Sequence, residues 1–340
     1  MINIFIIDDS MFIRNILIKI LKDKDDIKII GEAANPVDAM SMFKKTGIPD
    51  VFILDLEMPK MDGLTFLKKL QEERPTPTII FASLPHDKST KAIEALELGA
   101  FDIVVKPKEL NKINDNTFIN HFVKKIKASV NMKNINYKKE VRSSVISNHN
   151  DSNKIIAIGA STGGVQTLEN ILSQLKPSHP PIFITQHMPE GFTTSFANRL
   201  NKICINSNVR EVTKSELIKN GDIFIAPGNM HLEIEKLINN KFQTVLKDYP
   251  KVSNHKPSVD VLFKSFAKEV KKRSLAFILT GMGRDGALGI KMIRDSGGET
   301  YGQDEETSIV YGMPKVAFKL DGIDKQVSIN EVIDIINNIK

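Results

Sequence analysis

Short apolar runs alternate with amphipathic stretches along most of this chain. In the first 125 residues the runs INIFIID, IKIIGEA, DVFILDL, TIIFAS and FDIVVK are strand-like. DVFILDL is apolar through its centre, as expected of a strand buried on both faces of a parallel sheet. Between the runs, apolar residues recur at helical spacing, as with Phe12, Ile16 and Ile20 in 11–21. Helices are also predicted over 36–45, opened by Asn35 and Pro36 as cap and first-turn residue, and over 64–73, 89–98 and 120–130. Five strands alternating with five helices predict a doubly wound α/β domain.

The alternation dissolves in NMKNINYKKEVRSSVISNHNDSN, which is rich in Asn, Ser and Lys and has no apolar period. This segment reads as a partly flexible linker. A second alternating unit starts at KIIAIGA. Strand-like runs recur at PIFITQ, DIFIAP, the pair HLEIEK and FQTVLK, SLAFILT and GETYGQ, with helix-like stretches at 165–175, 193–201, 259–270 and 287–295. The organisation predicted is a domain over 1–125, a linker over 126–153 and a second α/β domain over 154–340. No short-period repeat is present.

Composition narrows the classes. Hydrophobic residues are 41% and charged residues 26% of the chain, which fits neither a disordered nor a membrane protein. The longest apolar runs stop at about half a dozen residues, against the about 20 that a membrane-spanning helix needs. The start MINIFIIDDSM has no basic segment and no cleavage site, so a cytoplasmic location is expected. The single cysteine, Cys204, excludes a disulfide framework and a Cys-based zinc site and is expected to be a small apolar filler. The net charge of +6 is spread thinly. With no Trp and 6% aromatics, stacking platforms for single-stranded nucleic acid are not expected.

Functional groups of an open α/β sheet collect at the carboxyl ends of its strands. In the first domain these ends carry Asp8 and Asp9, then Asp55, Ser83 and Lys106. Three neighbouring carboxylates repel one another unless a cation neutralises them, and hard oxygens suit Mg²⁺. A carboxylate beside Mg²⁺ and Lys is a nucleophile for a phosphoryl group.

FIIDDSMFIRN, ILDLEMPKMDGL, FAS and VVKP resemble the receiver domain of bacterial response regulators. The resemblance implies a flavodoxin-like (βα)5 fold with Asp55 as phosphoacceptor and Asp8 and Asp9 as the acidic pocket. It further implies Mg²⁺ held by Asp9, Asp55 and the backbone carbonyl of Glu57, with Ser83 and Lys106 gripping the phosphoryl oxygens. Receivers often carry an aromatic residue three positions before the lysine; this chain has Ile103.

In the second domain, KIIAIGASTGGVQTL reads as strand, tight turn and helix. Gly159, Ser161 and Gly163 match the G-x-S-x-G nucleophile-elbow pattern, and the same glycines would equally suit a phosphate-binding or merely tight turn. His187 follows the strand PIFITQ, where a neutral imidazole could take a serine proton, but His231 and His255 lie in the same domain. Gly281, Gly283 and Gly286 spell G-x-G-x-x-G, with Glu299 and Asp304 roughly 20 residues on, a dinucleotide-binding pattern. In the alternative reading Asp285 orients His187 and backbone N–H groups near Met282 serve an oxyanion.

GASTGG, TQHMP, APGNMHL, KPSVDVLF and LTGMGRDGALG resemble the protein-glutamate methylesterase domain of bacterial chemotaxis, a mostly parallel α/β domain. The resemblance implies a triad of Ser161, His187 and Asp285, Met282 as oxyanion donor and Thr162 beside the site, with no cofactor for the ester reaction. Gly228, His231, Pro257, Ser258 and Asp260 are expected in the walls of the cleft. The activity implied is hydrolysis of γ-glutamyl methyl esters and deamidation of glutamines on chemoreceptors. The partners implied are methyl-accepting chemoreceptors as substrate and a chemotaxis histidine kinase as phosphoryl donor, with neither nucleic acid nor membrane insertion.

Overall fold

The computed structural model describes residues 1–83, 89–107, 115–130 and 153–339. It divides into two compact units, 1–133 and 134–340.

The first unit runs β1 (Ile2–Ile7), α1 (Met11–Lys22), β2 (Ile27–Ala33), α2 (Pro36–Thr46), β3 (Val51–Leu54), α3 (Gly63–Glu73), β4 (Thr78–Ala82), α4 (Ser89–Glu97), β5 (Asp102–Val105) and α5 (Asn116–Val130). Its five strands are all parallel, in the order β2-β1-β3-β4-β5. β3 is buried at every position, which accounts for its unbroken apolar sequence. The strand order reverses direction between β1 and β3, so the crevice at their carboxyl ends receives Asp8, Asp9 and Asp55. Asn35 caps α2 as its sequence suggests, its side chain accepting from Asp38 N–H at 3.1 Å.

The expected linker start at 126 is too early. α5 continues to Val130, Ile126 is fully buried, and Ser129 Oγ donates to the Ile126 carbonyl at 2.8 Å. Residues 126–130 therefore belong to the last helix of the first unit. The Asn- and Lys-rich stretch after it lies outside the described residues, up to Asn153, whose carbonyl accepts from Arg273 Nε at 2.5 Å.

The second unit runs β6 (Ile155–Ala160), α6 (Gly164–Leu172), β7 (Ile182–Gln186), α7 (Phe192–Ile203), β8 (Asn208–Glu211), β9 (Asp222–Ile225), β10 (His231–Lys236), β11 (Phe242–Lys247), α8 (Val259–Glu269), β12 (Ser274–Ile278), α9 (Ala287–Asp295), β13 (Glu299–Gln303), α10 (Met313–Lys319), β14 (Lys325–Val327) and α11 (Ile329–Asn337). Seven strands form one parallel sheet, β14-β13-β12-β6-β7-β9-β8. β10 and β11 pair antiparallel as a separate hairpin. Phe183, Phe224, Phe263, Phe266 and Phe277 are fully buried in this unit. β6 leads to β7 on one side, and the chain later returns to place β12 on the other. The carboxyl ends of β12, β6 and β7 are thus neighbours at a topological switch point, where open α/β sheets bind ligands. Both units are doubly wound parallel α/β layers, as the alternating pattern predicted.

Candidate active site and phosphoacceptor pocket

Ser161 follows β6 directly. Its N–H donates to the Thr280 carbonyl at 3.0 Å, and Leu279 N–H donates to the Gly159 carbonyl at 2.8 Å, so the ends of β6 and β12 stay locked together. Gly163 then takes φ +79°, a left-handed conformation that turns the chain into α6. Close approach also demands glycine at 281: a Cβ there would fall 2.7 Å from the Ser161 Cβ and 2.4 Å from Met313 Sδ. Gln186, at the end of β7, donates through Nε2 to the carbonyls of both Ser161 (2.9 Å) and His187 (3.2 Å). No sequence pattern assigned that bridge, although its position one residue before the histidine could have suggested it.

His187 is anchored through its N–H to the Ala160 carbonyl at 3.0 Å. Its Nε2 lies 2.7 Å from Asp285 Oδ2, and its Nδ1 is buried with no hydrogen-bond partner. Nε2 therefore carries the proton and donates to the carboxylate, which leaves the lone pair on Nδ1. His231 is different. Its Nδ1 accepts from Ser258 N–H at 3.2 Å, its Nε2 lies 3.2 Å from the Pro250 carbonyl, and burial pushes its pKa down. Both of its nitrogens are committed to holding backbone, so it has no lone pair left for a serine proton. His255 lies against the site, its ring stacked on His187 with centroids 3.7 Å apart and planes 3° from parallel.

Asp285 is almost completely buried and fully coordinated. Oδ2 accepts from His187 and from Val259 N–H (2.7 Å), and Oδ1 accepts from Ser258 Oγ (2.8 Å) and Asp260 N–H (3.1 Å). Burial pushes its pKa up, but the bonds from His187, Ser258 and Val259 prevail and hold it below the ordinary value. The carboxylate thus sits ionised on the N-terminus of α8, where free N–H groups favour negative charge. Thr162 is buried beneath Ser161, its carbonyl accepting from Thr280 Oγ1 at 3.0 Å. Met282 lies one residue past Gly281, and among the described residues its N–H makes no hydrogen bond.

Several residues expected in the cleft walls are buried. Ser258 and His231 are fully buried, and Asp260 nearly so: Ser258 Oγ is spent on Asp285, while His231 and Asp260 accept from backbone N–H groups. Asp260 Oδ1 accepts from Gly289 N–H at 2.7 Å, which caps α9 from α8. Gly228 packs on the Glu190 backbone and donates its N–H to Thr193 Oγ1 at 2.9 Å. Pro257 is also buried. The dinucleotide pattern fails on its acids. Glu299 opens β13, at the end of the sheet opposite the glycine turn, and pairs with Lys154 at 2.5 Å. The Asp304 carboxylate is occupied by Thr307 N–H (2.8 Å) and Oγ1 (2.6 Å). Cys204 is the buried filler expected, its thiol pushed up to about 12 by burial and by Glu169.

In the first unit, Asp8, Asp9 and Asp55 each place a carboxylate oxygen within 4.8 Å of the others. Lys106 Nζ lies 2.7 Å from Asp8 Oδ2 and 2.6 Å from Asp55 Oδ2. One ammonium does not balance the group: burial outweighs Lys106 and pushes Asp8 up to about 6. On Lys106, burial acts to lower the pKa, yet the Asp55 and Asp8 carboxylates hold it above its usual value. Asp9, Asp55, Glu57, Ser83 and Lys106 line one cavity of about 370 Å³. A set of hard oxygens with surplus negative charge fits a divalent cation such as Mg²⁺. Ile103 is half-buried on β5, and its carbonyl accepts from Lys125 Nζ at 3.0 Å.

The fold and the two strand-end sites define a response-regulator receiver joined to a parallel α/β output domain with a serine, a histidine and an aspartate at adjacent strand ends. The response regulator receiver domain model matches residues 4–117, and the CheB methylesterase model matches 156–336. This chain belongs to the CheB methylesterase family. It is 41% identical over 347 residues to protein-glutamate methylesterase/protein-glutamine glutaminase 3 of Leptospira interrogans (strain Fiocruz L1-130), covering 98% of each chain. It is 39% identical to protein-glutamate methylesterase/protein-glutamine glutaminase of Escherichia coli O157:H7, over 97% of this chain and 95% of the relative. The crystal structure of the Thermotoga maritima CheB methylesterase catalytic domain is similar at 36% identity and a TM-score of 0.51, covering 54% of this chain and 98% of that one. Among the described residues no helix is long and apolar enough to cross a membrane.

Proposed function

We propose that this protein hydrolyses γ-glutamyl methyl esters on methyl-accepting chemoreceptors, releasing methanol, and deamidates receptor glutamines to glutamate. The work would be done in the cytoplasm during chemotactic adaptation. The observation that carries this reading is the state of His187: Nε2 is held on a buried, ionised Asp285, and Nδ1 is left as a partnerless base beside the β6–α6 turn that presents Ser161.

In the mechanism, Nδ1 of His187 takes the Ser161 proton as Oγ attacks the γ-carbonyl carbon. Asp285 holds the tautomer and stabilises the imidazolium that forms. The Met282 N–H donates to the oxyanion of the tetrahedral intermediate, aided by the N-terminus of α6. The imidazolium returns its proton to the departing methoxide, or to the departing amine in deamidation. Water, deprotonated by the same nitrogen, then releases the glutamate.

The first unit would gate this chemistry through phosphorylation of Asp55 by a chemotaxis histidine kinase. Mg²⁺, when bound by Asp9, Asp55 and the Glu57 carbonyl, supplies charge neutralisation of the phosphoryl oxygens. Lys106 and Ser83 would hold the phosphoryl oxygens, since both border the Asp55 cavity.

The test is methanol release from methylated receptor membranes by the wild-type chain and by Ser161→Ala. Wild-type release with a loss on the order of 10⁴-fold or more in the variant is expected. Retention of more than a few per cent of the rate would require another nucleophile.

A further inference from the structure

The two imidazoles at the site are in face contact. His255 and His187 lie 3° from parallel with centroids 3.7 Å apart, a stack at van der Waals distance. Such a contact gains strength when one ring turns cationic, because the face of the other then meets positive charge.

His255 is delivered by a firm loop. Val252 and His255 exchange both backbone hydrogen bonds, at 3.1 and 2.9 Å, across Ser253 and Asn254, which sit at φ +52° and +66°. Asn229 N–H donates to the Lys256 carbonyl at 3.4 Å, and Lys256 Nζ pairs with Asp248. Ser253 Oγ donates to Asp260 Oδ2 at 3.4 Å, and Asp260 N–H in turn holds Asp285. The turn is thereby tied to the same network that fixes the far edge of His187. Nε2 alone pins that ring at one vertex, and an imidazole χ2 torsion is broad. A flat partner on one face supplies the second restraint.

We propose that His255 is a positioning residue for the hydrolysis: its ring face holds His187 in the plane that keeps Nε2 on Asp285, and it stabilises the His187 imidazolium formed when Nδ1 takes the serine proton. This rests on the methylesterase reading above. An interaction stronger in the transition state than in the ground state raises kcat and leaves KM alone. His255 needs no proton transfer of its own for this.

The experiment uses the full chain with His255→Phe, which keeps a flat π face, and His255→Leu, which keeps bulk and loses it. With methylated receptor membranes, His255→Leu is expected to lose about tenfold in kcat at unchanged KM, while His255→Phe stays within about threefold of wild type. A wild-type kcat in the Leu variant, a Phe variant as impaired as Leu, or a rise in KM alone would overturn the proposal.

A second measurement needs neither turnover nor substrate. In Ser161→Ala chains with isotope-labelled histidine, the downfield Nε2–H resonance of His187 that reports its hydrogen bond to Asp285 is expected to broaden or be lost with His255→Leu and to hold with His255→Phe. Asp285, the charged partner of His187, is the same in all variants. An unchanged His187 Nε2–H resonance in the Leu variant would also overturn the proposal. Absence of methanol release by the wild-type chain would instead sink the methylesterase reading, and the NMR arm would still judge the stack.

Discussion

His187 meets Asp285 through Nε2, at 2.7 Å, and leaves Nδ1 buried without a partner. In the serine protease arrangement the nitrogens are exchanged, with Nδ1 on the aspartate and Nε2 on the serine. The choice here follows from where the ring enters. His187 is fixed by its backbone to the end of β6, so the farther nitrogen reaches across to Asp285 beyond β12.

That assignment makes glutamine an informative substitute for His187. The amide nitrogen of the introduced glutamine stands about where Nε2 stood and can still donate to Asp285, but it offers no base. His187→Gln is therefore expected to fold normally and to lose on the order of 10⁴-fold or more in kcat, with no further loss when combined with Ser161→Ala. His231→Gln keeps a donor for the Pro250 carbonyl and loses the acceptor for Ser258 N–H. It should cost about 1–2 kcal/mol in denaturant unfolding and only a few-fold in kcat. Equal damage to turnover from the two variants would show that the base is misassigned.

Asp55→Asn should abolish ³²P labelling of the chain by acetyl phosphate while basal methanol release persists. Chelation of Mg²⁺ should abolish labelling of the wild-type chain in the same way, because the carboxylate cluster needs a cation before an anionic phosphoryl group can approach. Label that survives in Asp55→Asn would place the acceptor elsewhere.

The raised pKa of Asp8 carries a pH signature without metal. Below the unfolded value of 3.8 both states hold the proton and Asp8 is neutral to stability. Between 3.8 and about 6 the folded chain keeps a proton that the unfolded chain releases, so stability falls as pH rises, and above about 6 the full penalty stands. Asp8→Asn removes it. In urea unfolding with chelator, the variant's first unit should gain on the order of 2 kcal/mol at pH 8 and nothing at about pH 3.5. A gain that is the same at both pH values would refute the desolvation argument.

Strands at the centre of both sheets were legible because burial on two faces writes an unbroken apolar run, as in Val51–Leu54. Strands at the edge of the second sheet were not. Of Asn208–Glu211 only Val209 is buried, and Lys325–Val327 is three residues long. Met313–Lys319 is too short for a helical period to show. Ile329–Asn337 was a different case. Ser328 and Glu331 form a reciprocal cap ahead of Val332, Ile333 and Ile336, a signal present in the sequence and passed over. At the site, the triad side chains stood in recognisable strand-end motifs. The groups that hold Asp285 did not, because two of them are the backbone N–H groups of Val259 and Asp260, and any residue type but proline supplies those. Which histidine nitrogen faces the aspartate, and that His255 stacks on His187, depend on distances between segments far apart in sequence.

Asp285 serves two masters: it receives His187 and it also closes the open end of α8 through Ser258, Val259 and Asp260. The Ser161 side chain has no comparable second duty in the fold. A descendant of this chain released from hydrolysis would therefore be free to drift at 161 long before it could drift at 285. The aspartate would outlive the chemistry it supports, so its presence in a relative testifies to an intact α8 rather than to an active enzyme, and of the two it is the serine that reports on activity.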